Sequence, residues 1–211
     1  MHRMAVAARK RPWYLHVALL GALALGSMGA CRGWNTITLY REPIDPSILG
    51  DGITDPADRG AVVARAEAFL QTLDAEKARG WPLAVATLLL GGAVFVFALR
   101  TIGGTRGSRA ALIQLVLAQA AINAAGLWLL RDVFDADLRV SEARQAAQIR
   151  GSMADRSRAD DTVRTLSSVA RAVPAIEFTF FTVTSALIVV ALTRRRSREV
   201  LDAAAGAIEE R

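Results

Sequence analysis

The chain has 211 residues, 53% of them hydrophobic, and a formal net charge of +6 at pH 7. On a soluble protein this charge would favour nucleic-acid binding, but here the arginines are concentrated at the ends of four apolar stretches of roughly 20 residues each. A helix of that length crosses the hydrocarbon core of a bilayer. The composition therefore excludes a large soluble domain, argues against nucleic acid as a partner, and predicts an all-α, polytopic membrane helical bundle in contact with the lipid bilayer.

The N-terminal residues 1–12 form a basic tail, and the apolar stretch 13–30 that follows is interpreted as transmembrane helix 1. Small residues recur at every fourth position of this stretch. Such a stripe lets two membrane helices approach closely, so we expect it to be a helix-packing face. Its members are Ala18, Ala22, Gly26 and Ala30.

Residues 1–30 also have the plan of a secretory signal peptide, with a basic region, an apolar region and small residues at the end. The run Ser27–Cys31 resembles a bacterial lipobox, in which the cysteine becomes lipidated and N-terminal. Two interpretations follow: an uncleaved helix, or a cleaved signal with possible lipidation of Cys31. Cys31 is the only cysteine, so an intrachain disulfide is excluded.

Residues 31–81 form the first outer segment, which has six basic and eight acidic residues and is therefore nearly neutral. The alternation in Thr36–Tyr40 indicates a short extended piece within a loop. A helix is predicted for residues 58–79, and Gly80 is expected to end it. The apolar face of this helix consists of Val62, Ala66, Phe69 and Leu73.

The second and third apolar stretches, residues 82–99 and 110–130, are predicted transmembrane helices. They are joined by a short inner turn, residues 100–109, which contains three arginines and no acidic residue. A short, purely basic connection is typical of the cytoplasmic side of a membrane protein.

Residues 131–173 form the second outer segment, which is predicted to be helical and to lead into transmembrane helix 4, residues 174–193. Its last part carries apolar residues at helical spacing: Val163, Leu166, Ala170 and Val173. The same pattern, Arg-x-x-Pro, stands where each outer segment meets a span. It is consistent with a duplicated hairpin, but two matched residues do not decide whether the hairpins are a true duplication. The basic residues 194–211 are interpreted as a cytoplasmic tail.

The positions of the arginines predict that both termini lie inside, with residues 31–81 and 131–173 outside. The amphipathic helices of these two segments are expected to project on the outer face. Arginine far outnumbers lysine and alanine is abundant, which is typical of a GC-rich bacterial genome. We therefore expect a multi-pass protein of the cytoplasmic (inner) membrane.

Polar side chains at membrane depth are the first candidates for function. Gln119 and Asn123 share one face of the third span, and Gln114 points elsewhere. These amides suit hydrogen bonds between helices or, alternatively, a substrate pathway. Glu177 lies near the outer end of the fourth span, where it complements a helix N-terminus or forms a cation or proton site.

The sequence has no nucleotide-binding, zinc-protease, serine-hydrolase or calcium-loop motif, and it has only two histidines. We therefore predict no catalytic residues, no metal site, no cofactor and no enzyme activity. The expected function is that of a scaffold, assembly or accessory subunit acting through the outer amphipathic helices. Its partners would be further copies of the chain or a membrane or periplasmic protein. The alternative is an oligomeric transporter, channel or proton-coupled subunit that uses the intramembrane polar residues.

Overall fold

The computed structural model describes residues 12–42, 44–153 and 156–209, with side chains for all of these except 156 and 204–209. Within these ranges the chain forms helices and their connections, without strands, which confirms the predicted all-α class. Apart from Pro12, the predicted basic tail 1–12 lies outside the described residues, as do the last two residues of the predicted C-terminal tail. The helices are α1 Trp13–Arg41, α2 Pro46–Leu49, α3 Pro56–Ala75, α4 Lys77–Ile102, α5 Ser108–Leu129, α6 Arg131–Ser152, α7 Arg156–Thr193 and α8 Arg195–Glu209.

Four of these helices are long and apolar enough to cross a membrane: α1, α4, α5 and α7. Each contains one of the four apolar stretches recognised in the sequence, which confirms the prediction of four helices long and apolar enough to be membrane spans. The inner turn is shorter than predicted, because α4 continues to Ile102 and α5 begins at Ser108. Gly104 and Gly107 in this turn have positive φ angles of 76°, which glycine adopts without steric cost.

The predicted extended piece Thr36–Tyr40 is wrong, because α1 continues through it to Arg41. Ile37 and Tyr40 are both buried, and their separation of three residues places them on one face of a helix. The alternation in the sequence is a local pattern that this helical burial overrides.

The prediction that Gly80 ends the first outer helix is also wrong. The break falls at Glu76, between α3 and α4, and Gly80 lies inside α4. Gly80 is buried against Tyr40, so closely that a Cβ atom added to it would overlap the phenol oxygen. Glycine is therefore needed here for a close helix–side chain approach, and not as a helix terminator.

Proline marks neither predicted boundary of the spans. Pro82 lies inside α4, and Pro174 lies inside the 38-residue helix α7, which joins the predicted outer helix to the fourth span without a break. A single proline removes one backbone hydrogen bond, and membrane helices tolerate this loss.

The aspartate–proline pairs Asp45-Pro46 and Asp55-Pro56 precede the predicted helix 58–79 in the sequence, and in the structure they start α2 and α3. The Asp45 and Asp55 carboxylates accept hydrogen bonds from the backbone N–H groups of Ser47 and Ala57, at 2.9 and 2.8 Å. A proline follows each aspartate at the first helical position, where its missing N–H costs nothing.

The segment interpreted as a tail is helical from Arg195 to Glu209. Ser197, Val200 and Leu201 are buried, and the spacing of three and one places them on one face of α8. Ser197 lies within hydrogen-bond reach of the Tyr14 hydroxyl, at 3.5 Å. This part of the chain therefore contributes to a core instead of extending as a free tail.

The chain divides into two compact units. The first comprises described residues 12–33, 86–122 and 180–209, and the second comprises 34–85 and 123–179. The core of the first unit consists of Leu15, Leu19, Ala22, Leu25, Val94, Ala98, Leu112, Val116, Phe181, Ile188, Leu192, Val200 and Leu201.

The second unit has two clusters of buried side chains, both built where α3 packs on α6. All four residues of the predicted apolar face of α3 are buried there. Phe69 and Leu73 pack with Val140, and Val62 packs with Ala143 and Ala147. The apolar face of α3 is therefore buried against another helix of the same chain.

Candidate functional site

Gln119 is the most enclosed of the predicted intramembrane polar residues. Its side chain is 0% exposed in the first unit, and its Nε2 donates a hydrogen bond to the Leu25 carbonyl at 3.2 Å. Its Oε1 is buried, with no hydrogen-bond partner among the described residues. An amide at this depth joins α5 to α1 with its donor side and leaves one acceptor unused.

The predicted small-residue face of α1 lies against α4 at Gly26 and Ala30. Ala18, Ala22 and Gly26 are buried, and Ala30 is half-buried. A Cβ added to Gly26 would lie 2.6 Å from the backbone nitrogen of Phe95 and 2.9 Å from the carbonyl oxygen of Gly91. The two helix backbones are therefore close enough that only glycine fits at this point.

Gly29, one turn from Gly26 on the same helix, lies against Gln119. A Cβ added to Gly29 would overlap the Gln119 amide nitrogen. The amide is thus held between the Leu25 carbonyl and a glycine, and this close packing leaves no room beside Gly29 for a larger side chain. Gly29 did not stand out in the sequence, because the fourfold spacing selected Gly26 and Ala30 instead.

The other predicted polar residues lie elsewhere. Gln114 is exposed on α5 within the first unit. Asn123 and Glu177 belong to the second unit, and both are half-buried. Glu177 engages in an interaction within the structure, so it is not without a partner.

Cys31 is exposed and lies inside the continuous helix α1. The residues in front of it include Leu15, Leu19, Ala22 and Leu25, which are buried members of the first-unit core. Removal of residues 1–30 would take these four side chains out of that core.

A charged network joins three helices of the second unit. Arg150 on α6 donates hydrogen bonds to Asp58 on α3 at 3.0 Å and to Asp160 on α7 at 3.3 Å. Arg171 on α7 donates to Glu142 on α6 at 2.9 Å. The side-chain hydrogen bond to Asp160 and the charge of Asp58 raise the pKa of Arg150 above its ordinary value.

An open depression of about 440 Å³ lies at this network. It is lined by Thr54, Asp55, Asp58, Arg150, Gly151 and Asp160. The Arg150 guanidinium pairs with two of the three carboxylates, and the third, Asp55, accepts a hydrogen bond from the backbone N–H of Ala57, so each carboxylate of the depression already has a partner within the protein.

The apolar residues of α7 that precede the span behave differently from those of α3. Leu166 and Val173 are exposed, and Val163 and Ala170 are only half-buried. The exposed apolar surface also includes Val169, which the sequence analysis did not single out. The spacing of α7 matched that of a core-facing helix, but the packing leaves Leu166, Val169 and Val173 uncovered by the helices that the structure describes.

Among the residues that the structure describes, no group of three or more histidine, cysteine or acidic side chains is arranged to hold a metal ion. The four long apolar helices define the chain as a multi-pass helical membrane protein. Its helices form two compact units, and the second unit contains the charged network. Comparisons of the chain with protein-family models, with curated proteins and with solved structures gave no match.

Proposed function

We propose that this chain is a non-enzymatic membrane protein, a scaffold, assembly or accessory subunit, that acts through the helices of its second unit. The observation that supports this most is the contrast between α3 and α7. The apolar face of α3 is buried on α6, whereas Leu166, Val169 and Val173 of α7 are exposed beside charged residues. Exposed apolar stripes of this kind mark interaction surfaces in soluble parts of proteins.

Affinity purification of the full chain from membranes in a mild detergent, followed by measurement of the mass of the intact complex, tests this function. We expect a stable assembly, either with another protein in fixed stoichiometry or with further copies of the chain. Recovery as a lone monomer, both in mild detergent and in lipid nanodiscs, would contradict the proposal.

We further propose that the protein lies in the cytoplasmic membrane of a bacterium, with both termini inside and residues 31–81 and 131–173 outside. The support is the clustering of arginine in the inner turn and after the fourth span. Single cysteines in a Cys31→Ser background test the orientation. A membrane-impermeant maleimide should label Ser168→Cys in intact cells and Thr105→Cys only after permeabilisation. The reverse pattern would show that the orientation is inverted.

The first helix, in this proposal, remains part of the mature protein. Support comes from the four buried core residues that it supplies and from the close approach of Gly26 to α4. Intact mass spectrometry of the membrane-extracted protein should give an unlipidated chain that retains residues 13–30. A mass that corresponds to a lipid-modified chain beginning at Cys31 would establish the lipoprotein alternative instead.

The unpartnered Oε1 of buried Gln119 favours a second candidate function, an oligomeric transporter, channel or proton-coupled subunit. Proteoliposomes containing the full chain test it by measuring proton and monovalent-cation flux. This alternative predicts a flux that Glu177→Gln or Gln119→Leu reduces. The scaffold proposal predicts no flux above that of empty liposomes.

A further inference from the structure

Helix α7 carries an uncovered apolar stripe in the second unit. Its members Leu166, Val169, Val173 and Ile176 are 42%, 54%, 50% and 62% exposed, and they are separated by three, four and three residues. This is the a/d spacing of a coiled coil, which repeats every 3.5 residues. We call these four residues, together with their continuation along the helix, the α7 seam.

In the sequence the same register continues without interruption to the end of the helix. The next positions are Phe180, Val183, Leu187 and Val190, each of which is also exposed. The second position of each heptad is β-branched throughout: Val169, Ile176, Val183 and Val190. A pattern maintained over four heptads is characteristic of helices that pack along their length on partners of the same kind.

The opposite side of α7 explains why the seam faces outward. Asp160 and Arg171, which differ by about 20° around the helix, pair with Arg150 and Glu142 of α6. Val169 lies about 160–180° away from both. The helix therefore directs its charged side toward α6 and its apolar side away from α6. A helix that packed only on α6 would direct its apolar side toward α6.

Lipid covers only part of the seam. Helix α7 has 38 residues and is about 57 Å long, whereas the hydrocarbon core is roughly 30 Å thick. Arg194 and its neighbours mark the end of the span. Leu166, Val169 and Val173 then lie beyond the hydrocarbon core, with Leu166 about 12 Å past its edge, so lipid tails do not cover them and a protein partner can.

From this arrangement we infer that α7 is a self-association element, and that the seam packs against the α7 seam of further copies of this chain. The inference rests on the proposed scaffold function, and it names the chain itself as the partner. Copies inserted in one membrane have the same orientation, so two α7 helices meet in parallel. Like positions of the repeat then face one another, as the unbroken heptad register requires.

The size and charge of the surface agree with this occupant. At on the order of 90 Å² for each half-exposed apolar side chain, the eight seam residues offer roughly 700 Å² per copy, close to the usual share of a stable interface. Like charges do not oppose one another across the part of the seam before Pro174, because the flanking positions there are uncharged. These positions are Val163, Thr165, Ala170 and Ala172.

Cysteine cross-linking of the full chain in native membranes tests the seam. In a Cys31→Ser background, Val169→Cys or Val173→Cys should form a covalent dimer under copper phenanthroline, because facing a and d positions suit disulfide geometry. Ser168→Cys is the matched control, since it is exposed on the same helix about 100° from Val169. We expect the seam cysteines to cross-link at least about ten times faster than the control, because the interface raises the effective thiol concentration.

A second measurement separates association from cysteine reactivity. The doubly substituted chain Val169→Glu with Val173→Glu should be monomeric in nanodiscs, while Ser168→Glu should keep the oligomeric mass of the unmodified chain. Equal cross-linking at seam and control positions, or an unmodified chain that is monomeric in nanodiscs, overturns the inference. If that monomer still co-purifies in fixed stoichiometry with another protein, the scaffold function survives and only self-association through α7 fails.

Discussion

The approach of α1 to α4 makes a specific prediction about two neighbouring glycines. Gly91 and Gly92 occupy adjacent positions of the same helix, so replacement by alanine changes the intrinsic helix propensity equally in both. Their surroundings differ. A Cβ on Gly91 would overlap the backbone nitrogen of Ala30 and would lie 2.7 Å from the carbonyl carbon of Gly29 and 2.8 Å from the carbonyl oxygen of Gly26, whereas a Cβ on Gly92 meets nothing within 4 Å.

The expected magnitude follows from this difference. All three contacts of the added methyl group at Gly91 are with backbone atoms, which cannot rotate away, so the two helices must separate. Overpacking of this kind costs about 1–3 kcal/mol, while alanine recovers up to about 1 kcal/mol of helix propensity at either position. The propensity gain cancels between the two variants, so Gly91→Ala should be about 2 kcal/mol less stable than Gly92→Ala.

Thermal unfolding of the purified full chain in one detergent measures the difference. About 2 kcal/mol corresponds to a melting temperature roughly 4–8 °C lower for Gly91→Ala than for Gly92→Ala in a protein of this size. Gly92→Ala itself should melt at or slightly above the temperature of the unmodified protein. If both variants melt within about 1 °C of each other, α1 and α4 do not pack through Gly91 and the reasoning is refuted.

Three further perturbations examine other contacts. Gly80→Ala should lower the free energy of unfolding by about 1–3 kcal/mol in the unmodified protein and by close to nothing in a Tyr40→Ala background. A double-mutant cycle measures this difference, and equal losses in both backgrounds would exclude the contact. Gln119→Met should leave the melting temperature unchanged or raise it, because it removes an unpaired buried oxygen, whereas Gln119→Glu should lower it strongly; a large loss with methionine would indicate a partner for that oxygen. Arg150→Gln should cost at most about 1 kcal/mol and lose its effect in high salt, and Arg59→Gln, whose pair is more exposed, should cost less than about 0.5 kcal/mol; equal effects would mean that the Arg150 network adds nothing.

The sequence by itself determined the all-α class of the protein and the number of helices that are long and apolar enough to cross a membrane. Length and apolar composition are sufficient for this, because the thickness of a bilayer sets a minimum that few other helices meet. The sequence also identified the buried face of α3, since Val62, Ala66, Phe69 and Leu73 follow the helical period closely. The aspartate–proline pairs at Asp45 and Asp55 also carry a helix-start signal that is recognisable in the sequence, because aspartate caps a helix N-terminus and proline suits its first position.

Tertiary structure alone decided which of the remaining patterns are covered and by what. The sequence predicted that Gly80 ends a helix, whereas the structure places the Tyr40 ring against it. The close contact of Gly29 with Gln119 is likewise visible only in the structure. The apolar repeat of α7 has the same local character as that of α3, yet one is exposed and the other buried. The reason is that periodicity reports which side of a helix is apolar, whereas burial depends on residues distant in the chain that no local spacing encodes.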